Sequence, residues 1–187
     1  MDNTLKSIIN NQIDYFNSRK TLNINFRIQL LKSLKKEIEL NEKEIENALN
    51  KDLGKSNGES YLTEIWFVYS EIKIALKNIK KWVKRKPIRS SLLNFPSSDF
   101  IVPEPYGNTL HISPWNYPFQ LSIAPLVGAI AAGNTVLLKP SEYSINTSII
   151  LEKILAKVFD DGFVKVVQGG PEVASKLLEF KWNYIFF

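Results

Sequence analysis

Three short stretches carry the side chains whose types and spacing could do chemistry. The first is Pro114-Trp115-Asn116-Tyr117-Pro118-Phe119. Its two prolines stiffen the loop and can aim the Asn116 amide at a fixed point, as a donor to a developing oxyanion requires. An asparagine here can equally cap the start of the next helix. The second stretch is Lys139-Pro140-Ser141-Glu142. An ammonium and a carboxylate so spaced suit the hydroxyls of a ribose; the plainer reading is a surface lysine and a first-turn glutamate that satisfies a helix dipole. The third is Gly169-Gly170-Pro171. Small residues there let a flat ring lie close to backbone, or simply make a tight turn before a helix begun by Pro171.

Other chemistries find no support. His111 is the sole histidine and has no Ser, Asp or metal-ligand partner at a recognisable spacing, so it reads as structural. No His/Asp/Glu cluster has metal spacing. The absence of cysteine excludes a disulfide, a thiolate metal site or a cysteine nucleophile within the chain. No G-x-G-x-x-G follows the first strand of the nucleotide-binding pattern, so a standard pyrophosphate loop is not encoded there.

The elements that position these residues alternate. Strands are expected at 108–113, 135–139, 163–168 and 183–187, with helices at 118–132, 144–159 and 171–178 between them. Alternation implies parallel strands joined by right-handed crossovers, and ligands of such sheets bind at the carboxyl ends of the strands. All three stretches fall at such ends. Upstream, residues 4–82 read as helix. Ile8, Ile9, Ile13 and Phe16 give one apolar face; Phe26, Leu30, Leu31, Leu34 and Ile38 give a second. Asn41 with Glu44 reads as a capping box, and Gly54 as a helix end. A longer helix from about 59 to 82 has Leu62, Ile65, Trp66, Tyr69, Ile72 and Leu76 as its stripe, and Pro87 stops it. Residues 90–98 read as a loop and 99–106 as an extended arm whose prolines confine it to an edge. The expected organisation is therefore a helical region at 1–98, an arm at 99–106 and a partial nucleotide-binding unit at 107–187. The apolar strand at 184–187 expects a neighbour along its edge.

Composition is that of an ordinary globular protein, with 44% hydrophobic and 23% charged residues. The N-terminus lacks the basic-then-apolar pattern of a signal peptide. The charge-free stretch 105–138 is interrupted by Pro114, Pro118, Pro125, Asn116 and Asn134, so it reads as a buried strand–helix–strand and no membrane span is expected. A cytoplasmic location fits the absence of cysteine. The net charge is +5, and the run 77–89 contains no acid. It reads either as an anion-binding surface or as the solvated, dipole-favoured end of an amphipathic helix. No base-stacking platform accompanies it, so no nucleic-acid partner is expected.

Taken jointly, EPYGNTLHISPWNYPFQLSIAPLVGAIAAGNTVLLKPSE, residues 104–142, resembles the aldehyde dehydrogenase superfamily, most of all its class 3 and fatty-aldehyde branch. The likeness covers nearly the whole chain and is loosest before Pro103. It implies an α/β fold, with an N-terminal helical segment leading into a partial Rossmann-like parallel sheet that has helices on both faces. It implies NAD or NADP as cofactor and an aldehyde as substrate. It assigns Asn116 as donor to the thiohemiacetal oxyanion, and Lys139 and Glu142 to the adenosine ribose. Ile112, Ser113, Pro114 and Trp115 would line the nicotinamide side, and Gly169 and Gly170 the adenine side. The 99–106 arm would belong to an oligomerisation ribbon, with a dimer expected. The family's T-G-S segment, general-base glutamate and nucleophilic cysteine have no counterpart here. The chain is thus expected to be an N-terminal cofactor-binding part, truncated and inactive alone. The alternative is a non-catalytic docking or dimerisation module that complements a separate C-terminal polypeptide.

Overall fold

The computed structural model describes residues 2–187. Helices α1 (Asp2–Asn17), α2 (Ile24–Leu40), α3 (Glu42–Leu53), α4 (Asn57–Ser60) and α5 (Trp66–Trp82) come first, and a π turn at Tyr61–Ile65 joins the last two. The faces they bury differ in part from the expected ones. α1 turns Leu5, Ile9 and Gln12 inward, and Ile13 is exposed. A polar contact accounts for this rotation: the Gln12 amide donates to the Val136 carbonyl at 2.7 Å, deep under the helix. Asn41 is the one residue between α2 and α3, and its side chain does not cap α3. It donates instead to the Glu37 carbonyl at 2.8 Å and to Glu37 Oε1 at 3.0 Å, closing the end of α2. Glu44 pairs with Lys153 at 2.6 Å rather than completing a capping box.

The π turn changes the third face. One extra residue in a turn rotates everything beyond it by about 100°. Ile65 and Ile72 are buried as expected and share the stripe with Val68, Ala75 and Ile79, and Tyr69 and Leu76 are half-buried beside it, while Leu62 and Trp66, expected inside, are exposed. The same turn directs Glu64 inward to complete burial.

Beyond α5, strands β1 (Lys86–Ile88) and β2 (Asp99–Ile101) make an antiparallel ribbon with Lys86 opposite Ile101 and Ile88 opposite Asp99. Residues 86–88 were not expected to be a strand. Pro87 is tolerated because a two-stranded ribbon is all edge. Then follow β3 (Asn108–Ile112), α6 (Gln120–Ala132), β4 (Thr135–Lys139), α7 (Ile145–Val158), β5 (Val164–Val166), α8 (Pro171–Leu178) and β6 (Tyr184–Phe186). The four strands run parallel in the order β5–β4–β3–β6. The α/β class and the alternation hold, with ends shifted by a residue or two.

Side chains of β4 alternate between two cores, as strand geometry requires. Val136 and Leu138 face α2, α3, α5, α6 and α7. Leu137, with Leu110 of β3, faces α1 and α8 through Leu5, Ile9, Val173 and Leu177. Helices therefore cover both faces. Charged side chains from the N-terminal helices close the ends of the helices on the first face. Arg27 Nη1 donates to the Ala131 carbonyl at 2.5 Å, at the C-terminal end of α6. Asp52 accepts from the backbone amides of Asn146 and Thr147 at 3.1 and 2.7 Å, at the start of α7. Each charge has the sign that the helix dipole favours.

His111 lies in β3 against the Phe186 ring, with centroids 5.6 Å apart. It is buried, and its Nδ1 has no hydrogen-bond partner among the described residues. Burial pushes its pKa down from 6.5 to about 4. The unfolded chain therefore binds a proton below about 6.5 that the folded chain refuses until about 4. Stability is predicted to fall across that window as pH drops, by roughly 3 kcal/mol from this residue at 1.4 kcal/mol per pH unit. Urea denaturation of wild type and His111→Phe between pH 7 and 4.5 checks it: the wild type should lose more stability over that range, and parallel profiles would remove the assignment.

Candidate functional site

The carboxyl ends of β3, β4 and β5 open on one edge of the sheet because the strands are parallel. Backbone pairing continues past the strands and fixes that edge. Ser113 N–H donates to the Lys139 carbonyl at 3.1 Å, and Val167 N–H to the Leu138 carbonyl at 2.9 Å. Of the residues singled out from sequence, Ile112, Ser113, Lys139, Glu142, Gly169 and Gly170 stand at or just beyond these ends. Pro114, Trp115 and Asn116 project past them, exposed, in the loop that leads to α6.

That loop is gripped at both ends. Ser122 Oγ donates to the Pro118 carbonyl at 2.6 Å, so it accepts from Ser113 Oγ, 2.7 Å away. On the other side Glu64 Oε2 accepts from Phe119 N–H at 2.8 Å and Gln120 N–H at 3.1 Å. These amides open α6 and have no partner within it. The carboxylate is a cap delivered from another helix, at the dipole end that favours an anion. Glu64 Oε1 accepts from Lys55 Nζ at 2.5 Å. Lys55 Nζ also donates to the Asn116 carbonyl at 3.3 Å and lies 4.2 Å from the centre of the Tyr117 ring. The two side chains of the pair are 9% and 0% exposed. All the hydrogen-bonding directions of the pair are therefore turned onto the loop or onto each other.

The contacts separate the two readings of Asn116. Glu64, not Asn116, caps α6. The Asn116 backbone is anchored by Lys55, and its side-chain amide is in no hydrogen bond among the described residues. A stiff loop thus presents a free amide beside the strand ends. Neither Lys55 nor Glu64 was singled out from sequence. Lys55 follows a helix-ending glycine, and Glu64 reads as a solvated helical glutamate unless the π turn is known.

Lys139 is likewise not a surface lysine. Its side chain is 3% exposed, and Nζ sits 2.6 Å from Glu142 Oε2, which is itself 29% exposed. The hydrogen bond from Lys139, aided by one from the Glu142 backbone, holds the Glu142 carboxyl below the usual carboxylate range. The pair offers a fixed donor and an anionic acceptor side by side, which is the donor set a vicinal diol needs. Gly169 has φ of 149°, and a Cβ there would collide with Val173. Gly170 N–H donates to Glu172 Oε1 at 3.1 Å, so the start of α8 is already met by an anion from its own first turn.

This arrangement can be set beside known proteins. Residues 3–185 match the aldehyde dehydrogenase family. The chain belongs to that family. Its relatives include the 4,4'-diaponeurosporen-aldehyde dehydrogenase of Staphylococcus aureus (strain NCTC 8325 / PS 47), 43% identical over 92% of this chain and 38% of the relative. Mouse aldehyde dehydrogenase family 3 member B3 is 48% identical over 92% of this chain and 36% of the relative. The chain thus spans under two fifths of the length of these relatives. Among solved structures, the substrate-bound state of Staphylococcus aureus AldH superposes with a TM-score of 0.96 at 41% identity, covering 98% of this chain and 40% of that one. The glyceraldehyde-3-phosphate dehydrogenase GapN of Methanocaldococcus jannaschii, complexed with NADP, gives 0.81 at 25% identity, covering all of this chain and 41% of that one.

Replacing Glu64 by Ala removes the acceptor of two α6 amides and strands Lys55 in a buried site. A loss of about 3–5 kcal/mol is expected in urea denaturation. The double variant Lys55→Met with Glu64→Gln should lose less, because no charge is left unpaired. Equal losses would place the stabilisation in packing instead.

Proposed function

We propose that this chain forms the oxyanion-donor and cofactor-ribose side of an NAD(P)-linked aldehyde oxidation site. The observation that carries the reading is the free Asn116 amide, held by Lys55 and Glu64 beside the same strand ends as the Lys139–Glu142 pair. A neighbour of the same fold, the glyceraldehyde-3-phosphate dehydrogenase GapN, is complexed with NADP, which supports a dinucleotide as the cofactor.

When bound, the dinucleotide supplies the hydride acceptor. Lys139 and Glu142 would hold its ribose, the ammonium as donor and the carboxylate as acceptor. An anion at Glu142 repels a 2′-phosphate and so favours NAD. Gly169 and Gly170 would leave room for the adenine, and Ile112, Ser113, Pro114 and Trp115 would line the nicotinamide side. Asn116 Nδ2 donates to the carbonyl oxygen of the aldehyde as negative charge builds on it, an effect worth 10²–10³ in rate on the scale of other oxyanion donors. The chain has no cysteine, so the covalent bond to the carbonyl carbon falls to a nucleophile outside these residues.

The pure 187-residue chain is therefore predicted to show no aldehyde-dependent reduction of NAD or NADP, and no tight calorimetric isotherm for either. Mixed with the remaining part of a family polypeptide it should form an active complex. In that complex Asn116→Ala should lower kcat by about 10²–10³, and Glu142→Gln should narrow the preference for NAD. Turnover by the chain alone, or recovered activity indifferent to Asn116→Ala, contradicts the proposal. A second reading, a docking module without catalytic part, draws support from β6, which pairs with β3 only and leaves Tyr184, Ile185 and Phe186 half-exposed. A stable complex without activity would favour it.

A further inference from the structure

The backbone before α6 already follows helical spacing, up to one point. Leu121 N–H donates to the Tyr117 carbonyl at 2.9 Å and Ile123 N–H to the Phe119 carbonyl at 3.0 Å, each four residues back. Between them, Ser122 Oγ donates to the Pro118 carbonyl at 2.6 Å. One step earlier the ladder stops. The helical partner of the Asn116 carbonyl would be Gln120 N–H, which donates instead to Glu64 Oε2 at 3.1 Å. The Asn116 carbonyl accepts from Lys55 Nζ at 3.3 Å. The ion pair thus stands where a helical hydrogen bond would run, its carboxylate on the amide and its ammonium on the carbonyl.

The same carboxylate takes away a second bond. A helix in which the Asn116 carbonyl accepted from Gln120 N–H would have Asn116 as its N-cap and Tyr117, Pro118 and Phe119 as its first residues. Proline is no obstacle there, since the first turn has no use for its missing N–H. Asparagine is among the best N-caps, because its side-chain oxygen accepts from the amide two or three residues on. Pro118 has no N–H, which leaves Phe119, and Phe119 N–H donates to Glu64 Oε2 at 2.8 Å. Local sequence therefore favours an Asn116 that caps α6 with both its carbonyl and its side chain, and the Lys55–Glu64 pair opposes it at both bonds.

We propose that Lys55 and Glu64 are positioning residues that keep the Asn116 amide out of α6, by occupying the two bonds through which Asn116 would cap that helix. The pair selects the donor state of an asparagine that is otherwise a cap. In the cap state the side-chain oxygen is tied to Phe119 N–H, and the direction of the amide is set by the helix instead of the loop. Both partners are needed to release it. With Glu64 alone removed, Lys55 still holds the Asn116 carbonyl and its peptide; with Lys55 alone removed, Glu64 still holds the amides. The consequence for rate rests on the assignment of Asn116 as oxyanion donor, whereas the competition for the α6 amides does not. Every group in that competition lies between residues 55 and 123 and is bonded to another of them, so the competition is internal to the chain.

The test is a mutant cycle in the full chain, read by urea denaturation, between wild type and the apolar pair Lys55→Met with Glu64→Leu. In wild type Asn116 caps nothing, so Asn116→Ala should leave the unfolding constant unchanged within about twofold, as for an exposed residue without partners. In the apolar background Asn116 becomes the cap, and the same substitution should raise that constant about fivefold, the usual cost of a lost cap. Exchange of the Phe119 amide should agree: protection persists in the apolar background and disappears when Asn116→Ala is added. An Asn116→Ala effect equal in the two backgrounds overturns the proposal, as does a Phe119 amide that loses protection in the apolar background with Asn116 intact. If that variant does not fold, Lys55→Met with Glu64→Gln frees the carbonyl and leaves a weaker, neutral acceptor on the amides; it should show coupling of the same sign, and none would overturn the proposal equally. Joined to the remaining part of a family polypeptide, the apolar variant should lower kcat about as far as Asn116→Ala does, an effect on the scale of a lost oxyanion donor, with the KM for NAD unchanged because the Lys139–Glu142 pair is untouched. Coupling in the chain with undiminished kcat in the joined enzyme would uphold the competition and overturn instead the assignment of Asn116 as donor.

Discussion

A carboxylate buried on one helix closes the start of another. Glu64 belongs to the π turn before α5, yet its oxygens lie against the first amides of α6 and against Lys55. A buried charge is costly unless its hydrogen bonds are met, and here they are: an ammonium on one oxygen, two backbone amides on the other. The placement couples three parts of the chain that sequence separates. It fixes where α6 begins, it anchors the Asn116 carbonyl through Lys55, and it ties the N-terminal helices to the sheet. Arg27 at the far end of α6 and Asp52 at the start of α7 extend the same logic. The helical region is thus the source of the charges that complete the helix ends of the sheet unit.

The proposed function builds on that coupling. A free amide is useful to a developing oxyanion only if its position is fixed before the charge appears, because reorganisation during the reaction would consume the gain. The Ser113–Ser122 contact on one side and the Glu64–Lys55 pair on the other supply that fixity without occupying the amide. The Lys139–Glu142 pair would do the same for a diol: each partner holds the other in place, and burial of the lysine keeps the geometry narrow. In the proposed reading these are binding and polarising groups, and the bond to carbon is left to others.

Much of this was legible from residues alone. Strand–helix alternation, the glycine ending α6 and the proline opening α8 follow from local rules, and the three candidate stretches did fall at strand ends. What was not legible depended on tertiary contacts. The π turn has no local signature, so the period of the α5 stripe was carried through it and Leu62 and Trp66 were placed inside. Glu64 inherits that error, since a charged residue on a helical pattern reads as solvated until its partners are known, and Lys55, just past a helix-ending glycine, reads as solvated for want of the same partner. Gln12 rotates α1 through a bond to a carbonyl 124 residues away. Asn41 had the right type for a cap, but with no linker after α2 its amide closed the preceding helix. Pro87 ended the helix as its chemistry dictates, and only the pairing with 99–101 turned the next residues into a strand.

Amide hydrogen exchange at Phe119 and Gln120 tests the central claim most directly. If Glu64 is their acceptor, both amides exchange in the wild-type chain only through openings comparable in free energy to those of the β3–β4 core. In Glu64→Ala their protection should collapse, together with the loop around Asn116, by more than that of the core amides. Protection at Phe119 and Gln120 that falls only in step with the core would show that α6 starts where it does for other reasons, and the account of how the loop is positioned would be wrong.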